Sequence, residues 1–436
     1  MIPILAQVDI KYEKYELPNG LDVILHEDHS VPIVGVNVWY HVGSAREKPG
    51  RTGIAHLFEH MMFQGSQNVG HNEHFRLIQG VGGNANGSTA EDRTNYWEVV
   101  PANYLEMVLW LEADRMGFLL PAMTQQKLDN QRDVVKNERR QSYENQPYGL
   151  AWETMCAALY PPENPYHWPV IGSMADLSAA SLDDVHEFFK KYYPPNNASL
   201  CIGGDFNPKE AKQWVEKYFG EVPQGPSPGP ISAGQPVVKE PRRLLLEDRV
   251  QLPRLYLAWH SPPLYEEGDA EMDILAGILS RGKSSRLYRR LVYEKKIAQD
   301  VFTCQQSREL SSLFFIIATA KPGIMLTELE KEIWSELECL EQEGPGENEV
   351  QRAKNSLKAD FIYELQSIGG FGGKTDRLNE YNVLLGNPGY FNQELARYEK
   401  VRGRGVQGMA NSYLSSDRVV ILSIVPEGKK ELEARP

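Results

Sequence analysis

Two histidines and a glutamate lie close together in the segment Ile54-Ala-His56-Leu-Phe-Glu59-His60. If this segment is helical, His56 and His60 share one face and Glu59 lies beside them. Two imidazoles on one face can hold a metal ion, and a neighbouring carboxylate can take a proton from water. The rest of the segment is mostly apolar, where three ionisable groups are costly unless they are paired or ligated. The order H-x-x-E-H therefore predicts a hydrolytic zinc site rather than a polar helix face.

A catalytic zinc ion usually keeps three protein ligands, so a third one must come from elsewhere in the chain. Residues 131–144 follow a helical pattern, and both Glu138 and Glu144 are candidates. Local sequence favours Glu138 only moderately, because a glutamate beside two arginines is more often part of a surface ion pair.

The composition is that of an ordinary folded protein. Of 436 residues, 41% are hydrophobic and 24% are charged, which excludes wholesale disorder and fibrous architectures. The net charge of −13 repels phosphate backbones, so nucleic acid is not an expected partner. The longest mostly apolar run, at 313–320, is far shorter than the ~20 residues that span a bilayer and predicts a strand instead.

Two pairs of similar landmarks recur at a spacing of 220 residues, which indicates a duplication. Strand-like segments surround Trp39 and Trp259, and helix-turn-strand segments surround Tyr193 and Tyr413. A segment rich in proline and glycine lies between the two halves and fits an exposed linker. We therefore expect an N-terminal catalytic domain at 1–222, a linker at 223–236 and a homologous C-terminal domain at 237–436.

Hydrophobic patterning predicts the elements of each domain. Alternating β-branched residues predict strands at 21–25, 33–40 and 237–246, and helical periodicity predicts helices at 103–120 and 325–343. The fold class is therefore α+β, with an antiparallel-rich sheet packed with helices in each domain. The positions that correspond to the zinc motif in the second half are Ala276, Leu279 and Ser280. One zinc ion per chain is expected.

The sequence resembles the family of inverted-motif zinc peptidases that includes pitrilysin, insulin-degrading enzyme and mitochondrial processing peptidase. The matching segments, typical of the half-size members, are residues 17–25, 42–60, 82–86 and 279–291. The resemblance implies two similar α+β domains, and a chamber enclosed by two such chains or by one double-length chain. It implies zinc ligands His56, His60 and Glu138, with Glu59 as the general base. The implied activity is endopeptidase cleavage of extended peptides or small unfolded proteins.

Two features depart from the family pattern. Seven residues before the glutamate ligand, the family commonly carries a supporting glutamate, whereas this chain has Gln131. Members that work alone carry an Arg and, seven residues later, a Tyr in the second domain, where this chain has Val292 and Gln299. The resemblance therefore implies a heterodimer with a homologous subunit that lacks the zinc motif and supplies the Arg and Tyr. The alternative is a homodimer in which Arg286 and Tyr288 take that role.

Residues 84–89 match the segment with which the family binds substrate as an added strand. We expect Asn84, Asn86, Gly87 and Ser88 to contact peptide substrates. The triplet Asn86-Gly-Ser88 is also a formal glycosylation sequon, which is the less favoured interpretation.

Two other segments invite different interpretations. Residues 369–375 resemble a phosphate-binding loop but lack its first glycine and a preceding strand, so a glycine hinge is favoured. His71 and His74 could bind a metal as an i, i+3 pair, but their neighbours favour a loop or a helix start.

Two functions compete with that of a bacterial peptidase. A non-catalytic core or scaffold subunit of the same fold is disfavoured by the intact motif. A mitochondrial presequence-processing subunit would use the same chemistry, but no segment rich in Arg and Ser precedes the domain. Residues 1–7 could be the remnant of a signal peptide, so the periplasm and the cytoplasm are both open and the mitochondrial matrix is less favoured.

Overall fold

The computed structural model describes residues 8–231, 233–234 and 236–435. The signal-remnant interpretation concerns residues 1–7 and lies outside the described residues. The chain forms two compact units. The first contains residues 8–137, 169–231 and 361–393, and the second contains the remaining described residues. Each unit thus takes in a segment from the other half of the sequence, and the domain boundaries predicted from the repeat remain a prediction.

The elements are numbered in chain order. The strands are β1 Glu13–Glu16, β2 Asp22–Glu27, β3 Ile33–Tyr40, β4 Asn84–Thr89, β5 Thr94–Pro101, β6 Ala198–Gly204, β7 Arg242–Asp248, β8 Arg254–Ser261, β9 Ala298–Gln306, β10 Ser312–Ala320 and β11 Val420–Pro426. The helices are α1 Ile54–Met61, α2 Glu73–Gly80, α3 Leu105–Phe118, α4 Gln125–Arg139, α5 Ala151–Leu159, α6 Met174–Ala179, α7 Leu182–Tyr192, α8 Pro208–Phe219, α9 Asp269–Ser280, α10 Leu326–Glu343, α11 Glu347–Glu364, α12 Lys374–Leu385, α13 Phe391–Lys400 and α14 Gly403–Tyr413.

Each unit contains one sheet, and the two sheets share a topology. The first has the order β1-β2-β6-β3-β5-β4 and the second has the order β7-β11-β8-β10-β9. In both, one parallel pair, β2 with β6 or β7 with β11, adjoins a run of antiparallel pairs. Trp39 of β3 and Trp259 of β8 occupy equivalent strands. The predicted duplicated α+β fold is confirmed.

Helices cover both faces of the first sheet. On one face, Asn379 of α12 donates its amide N–H to the carbonyl of Asn37 on β3 (2.9 Å). On the other face, the ring of Tyr40 contacts Tyr193 beyond α7, with centroids 4.3 Å apart. Because successive side chains of a strand point to opposite faces, β3 is buried on both sides. This explains its nearly continuous run of apolar residues.

The predicted elements are found with one substantial difference. The strand expected at 33–40 is β3, and the helix expected at 325–343 is α10 from residue 326. The strand expected at 237–246 is wrong in its first part, because β7 begins only at Arg242. Pro241 directly precedes it and lacks the N–H that a further ladder bond would need. None of the described helices is long and apolar enough to cross a membrane.

Candidate metal centre

The start of α1 is fixed by a glycine and a carboxylate. Gly53 has a φ of +85°, and a Cβ there would lie 2.7 Å from the carbonyl oxygen of Ile171, so only glycine fits without strain. The carboxylate of Glu47 accepts hydrogen bonds from the backbone N–H groups of Gly53 (3.0 Å) and Ala55 (2.8 Å). It satisfies two donors that a helix N-terminus leaves without intrahelical partners, and its charge suits the helix dipole.

The apolar side of α1 is packed into the first unit. Leu57, Phe58 and Met61 are fully buried. The ring of Phe58 contacts those of Tyr193 and Phe188, at centroid distances of 4.3 and 5.7 Å. This packing fixes the rotation of the helix about its axis, and therefore the direction of its polar side chains.

Two imidazoles and one carboxylate converge at the predicted metal site. Ligand atoms of His56, His60 and Glu138 all lie within 4.8 Å of one another, and all three residues are half-buried. The Nε2 atoms of the two histidines are 3.3 Å apart. Two nitrogens at about 2.0 to 2.1 Å from a tetrahedral zinc ion lie roughly 3.3 to 3.4 Å apart, so this spacing suits a shared ion. Two imidazoles and a carboxylate are also a donor set that catalytic zinc uses, and the residues therefore fit zinc.

Glu138 and Glu144 have different surroundings. Glu138 lies in the last turn of α4, which continues into a π-helical turn at Arg140–Glu144. The carboxylate of Glu144 lies 3.6 Å from Nε of Arg139, and Glu144 does not belong to the cluster of donors around His56. Gln131 is buried two turns before Glu138 in the same helix, and it supplies none of the three donor atoms. The geometry favours Glu138 as the third ligand.

The side chain of Glu59 extends from α1 toward the edge strand β4. It is 8% exposed, and its Oε2 accepts a hydrogen bond from the hydroxyl of Thr89 (2.6 Å). A Cβ at Gly87 would come within 3.1 Å of Oε1 of the same carboxylate. A carboxylate held beside a metal site, without itself being one of the three donors, is placed to act as a base. Sequence reasoning included Thr89 in the edge-strand segment but missed its contact with Glu59, because that contact joins residues thirty positions apart.

The four residues expected to contact substrate all lie on β4, which pairs with β5 and forms one edge of the first sheet. Asn84 and Asn86 are exposed, whereas Gly87 and Ser88 are half-buried. Gly87 and Thr89 face Glu59, so Asn86 and Ser88 point to the opposite face of the sheet. The edge position leaves one side of β4 without a partner strand among the described residues.

A second group of potential metal ligands is fully enclosed. His74, Glu98 and Glu112 bring their ligand atoms within 4.8 Å of one another. Nε of Arg115 donates to Oε2 of Glu112 (3.0 Å), and its Nη2 donates to Oε1 of Glu98 (3.3 Å). Burial lowers the pKa of His74 to about 3 and raises the pKa of both carboxyls. The guanidinium already supplies the positive charge, so this group forms a buried charge network. His71 precedes α2, whereas His74 belongs to its first turn.

The positions that replace the family's Arg and Tyr lie in the second unit. Val292 belongs to the π-helical segment Tyr288–Glu294, and Gln299 belongs to β9. Arg286 forms a bidentate ion pair with Glu349, through bonds of 2.8 and 2.9 Å. Tyr288 packs against the hydrophobic core of this unit. Both side chains that the homodimer alternative requires therefore already have structural contacts.

Comparisons with known proteins point in one direction. Residues 22–162 match a family described as insulinase (peptidase family M16), and residues 179–357 match one described as peptidase M16 inactive domain. The zinc protease PqqE of Helicobacter pylori is 31% identical over 370 residues, which cover 83% of this chain and 82% of that protein. A probable mitochondrial-processing peptidase subunit beta of Arabidopsis thaliana is 23% identical, over 94% of this chain and 77% of that protein. The crystal structure of a protease from Helicobacter pylori has a TM-score of 0.87 at 27% identity, and covers 96% of this chain and 100% of that chain.

Proposed function

Because the chain belongs to peptidase family M16, the family of pitrilysin and insulinase, we propose that it is the catalytic, zinc-bearing subunit of an endopeptidase. Its substrates are extended peptides or small unfolded proteins. The observation that carries the proposal is the convergence of His56, His60 and Glu138. Beside them lies the carboxylate of Glu59, which accepts a hydrogen bond from the edge strand.

The side chains divide the work of peptide hydrolysis. His56, His60 and Glu138 would hold one zinc ion, which supplies Lewis-acid activation of water and of the scissile carbonyl. Glu59 takes the proton from the attacking water and passes it to the leaving amine. Both transfers require the carboxylate to stay in one orientation, and Thr89 supports that orientation through its hydrogen bond.

The substrate binds to β4 as an additional strand. Its backbone pairs with the open side of residues 84–89, so affinity comes mainly from main-chain hydrogen bonds and the enzyme accepts many sequences. A peptide in this position passes next to Glu59, because β4 itself contacts that carboxylate at Thr89. The edge strand therefore places the peptide beside the base.

The active form is a heterodimer with a homologous subunit that lacks the zinc motif. Val292 and Gln299 occupy the positions of the Arg and Tyr with which self-sufficient relatives hold substrate, so the partner supplies that pair. The bidentate ion pair of Arg286 with Glu349 supports this over the homodimer alternative. The Arabidopsis relative is likewise named as a subunit.

Metal analysis combined with a peptidase assay tests the proposal. The wild-type chain should bind one zinc ion, and the double variant His56→Ala, His60→Ala should bind none. Glu59→Gln should keep the zinc and lose roughly 10² to 10⁴ in the rate of peptide hydrolysis, because it removes the base and leaves the ligands. Stoichiometric zinc in the double variant, or full activity of Glu59→Gln, would show that the site is assigned wrongly.

A further inference from the structure

A glycine-rich loop at residues 368–373 crosses the first sheet on the face covered by α12. Ile368 contacts β6, where a Cβ added to Gly203 would lie 3.1 Å from its Cδ1. Gly369 lies against β3, where a Cβ added to Gly35 would lie 3.3 Å from its Cα. Phe371 reaches β5, where its ring meets that of Trp97 edge to face, with centroids 5.7 Å apart. Since the sheet order is β6-β3-β5-β4, the loop runs toward the substrate-binding edge.

The loop approaches the sheet closely because glycines face each other there. A Cβ at Gly369 would lie 2.6 Å from Cγ2 of Val99, so a larger residue there would clash with the Val99 side chain. Missing side chains on both surfaces let the loop backbone lie directly on the strands. Phe371 is the large apolar residue of the loop that lies nearest to the substrate-binding edge.

Asp376 at the start of α12 holds the loop in place. Its Oδ2 accepts a hydrogen bond from the backbone N–H of Gly372 (2.8 Å). Its Oδ1 accepts hydrogen bonds from Nε1 of Trp39 (2.8 Å) and Nδ2 of Asn95 (2.7 Å). The loop is therefore tied to β3 and β5. Its N–H at Gly372 is bonded to a carboxylate, which also disfavours a phosphate at this loop.

Phe371 stays 47% exposed although the loop around it is packed. Its contact, Trp97, is the cross-strand partner of Asn86 on β4. Strands in a sheet lie about 4.8 Å apart, so a peptide paired with β4 lies about two strand spacings from Trp97. Every second side chain of that peptide points to the face of Phe371, and the others point to the face of Glu59.

We propose that Phe371 and Trp97 form a subsite for one large apolar side chain of the peptide substrate, such as Leu, Met, Phe or Tyr. The proposal rests on the proposed function, because it requires a peptide paired with β4. The ring of Phe371 is exposed beside the buried indole of Trp97. A large apolar side chain that covers this ring removes apolar surface from water, and this burial favours binding. Aromatic edges and faces also make good contacts with large apolar groups. The subsite adds a preference at one substrate position to binding that is otherwise made through the backbone.

Cleavage-site profiling on a mixture of unstructured peptides tests the subsite. The holoenzyme, with its partner subunit if required, should favour a large apolar residue at one position relative to the cut. Phe371→Ala should lower that preference about tenfold or more, with zinc content unchanged. Phe371→Leu should largely retain it. Phe118→Ala is the matched control, because Phe118 is a similarly exposed phenylalanine (41%) at the end of α3, and this variant should keep the preference.

A binding experiment separates failure of the subsite from failure of the proposed function. Two labelled peptides that differ only by Phe or Ala at the preferred position are titrated into zinc-loaded Glu59→Gln. Cleavage profiling gives no preferred position if all positions are equal or if the wild type cleaves nothing. In that case the Phe peptide and the Ala peptide are compared at each position of one peptide sequence in turn. Tighter binding of a Phe peptide that disappears when Phe371→Ala is added supports the subsite, even if the wild type cleaves nothing. Equal binding at every position, or a change in oligomeric state as the only effect of Phe371→Ala, overturns it.

Discussion

The hydroxyl of Thr89 donates a hydrogen bond to Oε2 of Glu59, at 2.6 Å. Thr89 is the last residue of β4, and Glu59 belongs to the helix that carries both histidines. The bond therefore joins the strand proposed to bind substrate to the side chain proposed to move the proton. A hydrogen bond to a charged group contributes about 1.5 to 3 kcal/mol, enough to hold a carboxylate in one rotamer.

Thr89→Val should lower kcat about tenfold while zinc content and KM change little. Valine has nearly the shape of threonine but lacks the donor, so Glu59 loses its orientation without a cavity being created. Thr89→Ser keeps the donor and should restore most of kcat. The measurement is steady-state peptide hydrolysis together with metal analysis. Wild-type kcat in Thr89→Val would mean that the hydrogen bond has no role in the reaction.

Glu138→Gln should weaken zinc binding, whereas Glu144→Gln should leave it unchanged. The first change replaces an anionic ligand by a neutral amide, and ligand loss typically removes most of the affinity of a three-ligand site. Glu144 is the matched control, because it lies only five residues beyond α4 and interacts with Arg139 instead. Zinc affinity is measured by competition with a chelator of known affinity. Equal affinities of the two variants would leave the third ligand unassigned.

Proline at Gly87 or Ser88 tests the edge strand. In an antiparallel pair, successive N–H groups point alternately toward the partner strand and away from it. One of the two proline variants therefore removes a bond to β5, and the other removes a donor at the open edge. The N–H of Gly87 donates to Oδ1 of Asn86 (2.9 Å), so Gly87→Pro is the variant at the open edge, and it should raise KM with normal zinc content. A Cβ at this position also comes within 3.1 Å of Glu59. Gly87→Ala is therefore the control, because it adds the Cβ and keeps the N–H. An unchanged KM in both proline variants would argue against substrate pairing with β4.

Burial lowers the pKa of His260 to about 4. Its Nε2 donates to the carbonyl of Leu159 (3.0 Å), and its ring lies against Tyr160. An unfolded histidine titrates near 6.5, so the unfolded state binds more protons between pH 6.5 and 4. The free energy of unfolding therefore falls as the pH is lowered through this window.

His260→Gln removes the titrating group and keeps a donor for the Leu159 carbonyl. The slope of unfolding free energy against pH should become less steep by up to about 1.4 kcal/mol per pH unit between 6.5 and 4. Urea denaturation at a series of pH values measures it. An unchanged slope would mean that His260 is protonated at similar pH in both states.

Short-range spacing predicted much of this molecule. The positions of His56, Glu59 and His60 at intervals of three and four residues were enough to indicate a shared helical face. The β-branched residues at 33–40 were enough to locate β3. These elements can be predicted from the sequence because each depends only on local residue spacing and residue type.

The features that the sequence did not reveal depend on long-range packing. The buried residues of α12 are mostly polar and include Asp376, Asn379 and Asn382. The local pattern of the helix therefore does not indicate that it packs on β3, more than 300 residues earlier in the chain. The role of Thr89 likewise depends on the pairing of β4 with β5. This pairing points the Thr89 hydroxyl toward Glu59 on α1. The glycines at 369–373 indicated a special backbone, and only the facing Gly35 on β3 explains why the loop lies so close to the sheet at Gly369.

The last prediction concerns the partner subunit. The chain alone should hydrolyse an unstructured peptide weakly or not at all, and addition of the product of a neighbouring homologous gene should raise kcat/KM by about 10²-fold. A substrate held on one side only is poorly placed, and a displacement of about 1 Å can cost on the order of 10²-fold in rate. Two chains that close a chamber should also bury about 2,000 Å² or more, so they should co-purify.

Introducing Val292→Arg and Gln299→Tyr into the chain provides the complementary test. If these positions correspond to the family's Arg and Tyr, the double variant should gain activity in the absence of the partner, with zinc content unchanged. Arg286→Lys tests the homodimer alternative, in which Arg286 would hold the substrate. It weakens the bidentate pair with Glu349, and it should affect stability more than the activity of the heterodimer. Full turnover by the lone wild-type chain, unaffected by the partner, would show that the heterodimer is not required.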